Sequence, residues 1–391
     1  MELVRRRSRD MRPGDDGYIN VPEGETMTTL EGHTDAVNCL IQLADGRLVS
    51  GSDDDTIKIW DTISGCCLMT LEGHTKTLRC VTQLTDGRLA SSSVDETIKI
   101  WDILSGSCLM TLEGHTDTVI CIIQITDGRI VSGSRDETIK IWDTISGSCL
   151  MTLEGHASWV RCIIQLTDDR IVSGSGDETI KIWDTISGSC LITLRGHNFP
   201  VMCVTQLTDG CLVSGSADNT LKIWDTISGS CLMTLEGHTH PVLCVTQLTD
   251  GRLASSSNDN SIKIWDAISG SCLMTLEGHI NIVFCVIQLT DGRVASGSND
   301  NTIKIWNIMS LPQQKWIRRR LLVLLFEASK ILFLLSESAE IHPEINRRRN
   351  DLKLLLHCSF NINNSITTKT FKLITKVLSI PEITIFISKY L

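Results

Sequence analysis

The sequence predicts an all-β fold, in which a four-stranded unit repeats seven times and closes into a ring, with a C-terminal, mostly α-helical extension. Three observations carry this. Gly-His recurs at His33, His74, His115, His156, His197, His238 and His279, always 41 residues apart. Trp recurs with the same step at Trp60, Trp101, Trp142, Trp183, Trp224, Trp265 and Trp306. Between them lie short β-branched runs broken by Asp-Gly turns, with no helical period. That pattern stops near residue 311, beyond which none of the 28 glycines lies.

Taken in order, the elements follow. Residues 1–24, "MELVRRRSRDMRPGDDGYINVPEG", hold too few apolar groups to order themselves and read as a disordered basic segment. Next comes "ETMTTL", which aligns with the "CCLMTL" that ends the first unit, so Met27–Leu30 reads as a strand without a unit of its own. In the first unit "VNCLIQL" is one strand and "ADGR" a hairpin turn, because glycine accepts positive φ. "RLVSGS" is the second strand, Asp54 sits in a tight turn, "TIKIWD" is the third strand, "TISG" turns, and "CCLMTL" is the fourth. Alternation sends Ile57 and Ile59 to one face and Trp60 to the other. A sheet apolar on both faces needs a neighbour on each side, and a ring of such sheets supplies one. This is a seven-bladed β-propeller over residues 25–310. The last unit breaks at "IKIWNIMSLPQQKW", where Asn307 replaces Asp and no fourth strand follows. The spare N-terminal strand is expected to complete that blade, closing the ring and removing open sheet edges.

Charge is uneven. Residues 26–310 carry 18 Lys/Arg and 34 Asp/Glu, whereas residues 311–391 carry 13 and 6. An acidic body opposes nucleic-acid phosphates, so no nucleic-acid partner is expected. The 16 cysteines are mostly repeat-borne, in one series from Cys39 to Cys285 and another from Cys67 to Cys272. They read as small buried hydrophobes kept reduced in a cytoplasmic protein.

The Gly-His, the Asp of "S-x-D-x-T" and the terminal Trp-Asp together resemble the WD40 repeat family over about residues 26–310. The resemblance implies a seven-bladed propeller that serves as a platform for protein partners. It also implies a structural hydrogen-bond chain in each blade, joining His33, Ser50, Asp54 and Trp60 in the first. The other Asp members would be Asp95, Asp136, Asp177, Asp218, Asp259 and Asp300. A buried Trp N–H, a buried imidazole and a buried carboxylate each need partners, and a closed chain supplies all of them. His, Ser and Asp are also the ingredients of a hydrolase triad. Seven copies around a ring argue for structure instead, so no catalytic residue is expected. No phosphate-binding glycine loop or zinc-ligand spacing occurs, so no cofactor and no metal are expected either.

Differences among near-identical repeats are informative. They concentrate just after each Gly-His, five residues after each His, and before each turn Asp. In resembling propellers these positions surround the mouth of the central channel. Loop positions diverge freely under weak packing restraint, so variation alone does not make a site. The candidates for a partner-binding face are Asn38, Asp53, Arg79, Arg135, Trp159, Arg161, Phe199, Met202 and Phe284, because Trp, Arg and Phe anchor interfaces. The arginines suit an acidic or phosphorylated peptide.

Residues 311–391 read as a helical tail, with Leu-rich "WIRRRLLVLLFEASKILFLL" too interrupted for a membrane span. Membrane contact through it is not expected. The function expected is a non-enzymatic interaction scaffold or adaptor. The alternative is a substrate-recognition subunit of a ubiquitin ligase or other complex, docked through the tail.

Overall fold

In the computed structural model the described residues are 26–308, with side chains from 28. The expected N-terminal segment and helical tail, with Trp316, lie outside them. Twenty-eight strands, β1 to β28 in chain order, form seven four-stranded antiparallel sheets. Blade 1 is β2 (Val37–Gln42), β3 (Leu48–Ser52), β4 (Ile57–Trp60) and β5 (Cys67–Leu71). These bounds fall within a residue of the apolar runs in the sequence. Blades 2 to 6 repeat the plan. Blade 7 combines β26 (Val283–Gln288), β27 (Val294–Ser298) and β28 (Ile303–Trp306) with β1 (Thr26–Leu30), in the order β1-β28-β27-β26. The β1–β28 register pairs Thr28 with Ile305 and Leu30 with Ile303.

First strands of consecutive blades are neighbours, and β2 of blade 1 also lies beside β26 of blade 7. First strands therefore line the centre and fourth strands the outer edge of the ring. The apolar cores lie between blades, not within them. Ile57, Ile59 and Val49 of blade 1 pack against Leu78, Val81, Leu89 and Trp101 of blade 2. Trp60 packs the other way, with Val37, Leu40 and Leu48, against Ala295, Ile303 and Ile305 of blade 7. Leu30 of β1 takes part in that last core and is 1% exposed. It stands where Leu71 stands in the next core. Fully burying such a side chain contributes about 2 kcal/mol.

Seven glutamines add a second tie. The Gln that ends each first strand accepts a hydrogen bond from a backbone N–H in the preceding blade, at 2.7–3.0 Å. The series runs from Ala44 N–H on Gln83 round to Thr290 N–H on Gln42, so it links blade 7 to blade 1.

The cysteines correct one expectation. The first-strand series is buried or half-buried, as expected, and free. The fourth-strand series, Cys67, Cys108, Cys149, Cys190, Cys231 and Cys272, is exposed. These strands are outermost, so no neighbouring sheet covers them. The inner thiols also dictate the residue opposite. A Cβ on Gly51 would lie 2.8 Å from Cys39 Sγ, and one on Gly174 would lie 2.6 Å from Cys162 Sγ. Blades 2 and 6 carry Ser92 and Ser256 at this position. There the thiols turn to the next blade instead: Cys80 Sγ lies 3.7 Å from Ile122 O, and Cys244 Sγ lies 3.6 Å from Val286 O.

Candidate functional site

The hydrogen-bond chain occurs in all seven blades. His Nδ1 lies 2.7–2.8 Å from the turn Asp. His Nε2 lies 2.7–2.8 Å from a second-strand Ser Oγ, starting with Ser50. The same Oγ accepts the Trp Nε1–H at 2.7–2.8 Å. Trp can only donate and an ionised Asp can only accept. With a neutral imidazole protonated on Nδ1, every donor meets an acceptor: Trp donates to Ser, Ser to His, and His to Asp. Burial pulls the His279 imidazole below its usual pKa, against the pull of Asp300, which favours this neutral form.

Six of the seven carboxylates are held well below the usual range, and Asp300 is lowered as well. Burial pushes each of them up, but hydrogen bonds outweigh it. For Asp54 these come from His33, the Thr56 hydroxyl and the Thr34 N–H. The chain members repeat around the ring as His33, Ser50, Asp54 and Trp60; His74, Asp95 and Trp101; His115, Asp136 and Trp142; His156, Asp177 and Trp183; His197, Asp218 and Trp224; His238, Asp259 and Trp265; and His279, Asp300 and Trp306. Each serine is fully buried and already accepts from Trp, so none is presented to a substrate. The Gly of Gly-His is part of the same device. Gly32 has φ +151°, and a Cβ there would sit 3.2 Å from the Trp60 ring.

The variable residues lie at one end of the blades. Antiparallel order puts the loop before each first strand and the turn after each second strand at the same end. Backbone bonds tie the two: Asp53 N–H donates to Ala36 O, Arg135 N–H to Thr118 O, and Gly176 N–H to Trp159 O, each at 2.9 Å. Asn38, Arg79, Arg161, Met202 and Phe284 are the second residues of first strands, Asp53 and Arg135 stand at the turns, and Trp159 and Phe199 are in the loops. All nine candidates therefore share one rim.

They do not act as one group. Asn38 donates to Asp53 at 2.6 Å and to Leu78 O at 2.8 Å. Asp53 in turn lies 3.9 Å from the Arg79 guanidinium. Asp53 of blade 1 thus answers Arg79 of blade 2. The arginines of blades 3 and 4 are placed differently. The Arg135 guanidinium lies over Trp159, 3.7 Å from the ring centroid, and that of Arg161 lies 5.1 Å away. Neither arginine has an ion pair among the described residues, and Arg161 Nε is buried without a hydrogen-bond partner there. Burial, and then the charges of Arg135 and Arg79, lower the Arg161 pKa from its ordinary value. Gly176 leaves room for Ser158 in the loop that carries Trp159, since a Cβ there would meet Ser158 Oγ at 2.6 Å. No reading of the sequence linked Gly176 to Trp159, because they meet only through the turn.

Among the described residues no group of His, Cys, Asp or Glu is placed to hold a metal ion, and no helix is long and apolar enough to cross a membrane.

Comparison with known proteins agrees with this architecture. A family model described as "WD domain, G-beta repeat" matches seven times, at residues 24–61, 65–102, 106–143, 147–184, 188–225, 229–266 and 270–307. F-box/WD repeat-containing protein 7 of Drosophila melanogaster is 49% identical over 39 residues, covering 10% of this chain and 3% of that protein. Vegetative incompatibility protein HET-E-1 of Podospora anserina is 52% identical over 67 residues, covering 16% of this chain and 5% of that protein. An uncharacterized WD repeat-containing protein of Schizosaccharomyces pombe is 50% identical over 46 residues, 12% of each chain. The matched parts are thus small fractions of these relatives, and they carry the repeat, not a whole protein's activity. With seven matched repeats spanning residues 24–307, the chain belongs to the WD40 repeat family, whose propellers typically mediate protein–protein interactions.

Proposed function

We propose that this protein is a non-enzymatic scaffold or adaptor that binds an acidic or phosphorylated peptide on the rim holding Arg135, Trp159 and Arg161. One observation carries this reading: two neighbouring arginines lie against one tryptophan ring, and neither has a carboxylate partner among the described residues. The ring holds both guanidiniums side by side, and their N–H groups suit bidentate contact with an oxyanion. Arg79 is a lesser contributor, because Asp53 already answers its charge.

Titration of a degenerate phosphoserine peptide library, and its serine counterpart, against the wild type and a variant with Arg79, Arg135 and Arg161 all changed to Ala tests the reading. Affinity for the bound phosphopeptides is expected to fall at least about tenfold in the variant, the scale of one lost charge-assisted contact. Unchanged affinity sinks it.

A second reading is favoured by the relative named for an F-box as well as WD repeats. In it the chain is a substrate-recognition subunit of a ubiquitin ligase or other complex, and residues 311–391 are the docking element. Pull-downs with the full chain, residues 1–310 and residues 311–391 discriminate: ligase subunits recovered by the tail alone support it. Either reading needs an intact ring, and β1 is the strap we assign to hold blade 7 against blade 1.

A further inference from the structure

We infer that the rim reads two chemistries in one ligand: an anionic group on blades 3 and 4, and large apolar side chains on blades 5 to 7 of the same peptide. This rests on the peptide-binding reading above and adds the second half of the motif.

The observation is a division of the rim. First strands run round the ring in chain order, so blades 5, 6 and 7 form one continuous arc. At the variable positions blades 1 to 4 carry charges, among them Asp53, Arg79, Arg135 and Arg161. On the other arc the same positions hold no Lys, Arg, Asp or Glu. They read "NFP", Met202 and Ala217; "THP", Leu243 and Asn258; "INI", Phe284 and Asn299. Two large apolar side chains stand out in water there: Phe199 is 56% exposed and Ile280 is 86% exposed. Met202, Leu243 and Phe284 are half-buried at the second position of their strands.

Single exposed apolar residues are ordinary, but two on an arc without Lys, Arg, Asp or Glu at its variable positions, beside an arginine pair with no carboxylate partner among the described residues, make a patch with polarity. The partner it fits is complementary in both halves. The anion is a phosphate or a carboxylate, and the apolar part is a cluster of aromatic or aliphatic side chains. An extended chain covers about 3.3 Å per residue, so a peptide can reach from one blade to the next within a few residues.

The test uses the full chain and fluorescein-labelled peptides in a Gly-Ser host. Each carries phosphoserine, glutamate or alanine at one site and a Phe-Leu pair placed about two to eight residues away, the range an extended chain needs to cross the rim. The best two-part peptide is expected to bind about tenfold or more tighter than its match with Ser-Ser in place of Phe-Leu, the scale of covering one large apolar side chain. Phosphoserine against glutamate decides the source of the anion. Changing Phe199→Ser with Ile280→Ser is expected to remove that gain and leave binding of the anion-only peptide intact. Both side chains are exposed, and an unchanged melt confirms the fold. Changing Arg135→Ala with Arg161→Ala is expected to weaken both peptides. An apolar pair that adds nothing at any spacing, or a gain that survives the Phe199/Ile280 variant, overturns the inference while leaving anion binding to be judged by the arginine variant. Binding of no peptide overturns this inference and the peptide reading together.

Discussion

The interior of the blades and the rim of the channel differ in what they tolerate. Inside, one arrangement of His, Ser, Asp and Trp recurs seven times with distances that agree to 0.1 Å along each link of the His–Ser–Trp chain. At the rim, the second residue of the first strand is Asn, Arg, Ile, Arg, Met, Leu and Phe in turn. The interior is uniform because a buried polar group without its partner is costly, so no member can change alone. The rim is varied because water answers whatever is placed there. Variation therefore does not by itself mark a site. What marks blades 3 and 4 is that two rim arginines lie against one tryptophan and have no carboxylate partner among the described residues, one of them with a buried Nε.

The comparison breaks most severely if the interior loses a strand. Deleting residues 1–31 removes β1 and with it Leu30 from the core between blades 7 and 1. The expected result is a chain that unfolds or oligomerises, seen by thermal melt and light scattering. Deleting residues 311–391 is expected to leave the propeller melt in place, and the opposite pattern rejects the role assigned to β1. Next in size is Ser132→Ala, which strips the partner from both Trp142 Nε1 and His115 Nε2. It should cost about 3 kcal/mol in a urea titration.

Acid tests the same interior. Its carboxylates have folded pKa values below their unfolded ones, so their contribution is fully present above about pH 4 and is lost as pH falls toward the folded values. Urea midpoints should decline over that range, and a flat profile would contradict the assignment. A smaller effect has the opposite sign. Ser92 and Ser256 bury hydroxyls that find no partner among the described residues. Ser92→Ala and Ser256→Ala keep the Cβ and remove that group, for a gain of about 1 kcal/mol each. Smallest is the rim: Arg135→Ala should move stability by no more than about 0.5 kcal/mol either way while weakening ligand binding.

Much of this was legible in the chain. The apolar runs and turns of one 41-residue unit located the four strands of each blade, and the resemblance to WD40 repeats implied the hydrogen-bond chain. The rim candidates were legible as positions but not as a site. That Asp53 answers Arg79 depends on neighbours 26 residues apart in sequence, and Arg135 meets Trp159 across 24. The glutamine ties were equally hidden, since each reaches a backbone group in the preceding blade.

The cysteines show where the division falls. Cys39 and Cys67 lie in similar short apolar strands and recur with the same period, yet one faces the ring's interior and the other faces solvent. Local sequence determined strand, turn and period, because these depend on backbone propensity and on residues a few positions away. Which strand lies innermost, which thiol is covered and which arginine is left without a partner were decided only when seven sheets closed on one another, because burial belongs to the neighbours that the ring brings together.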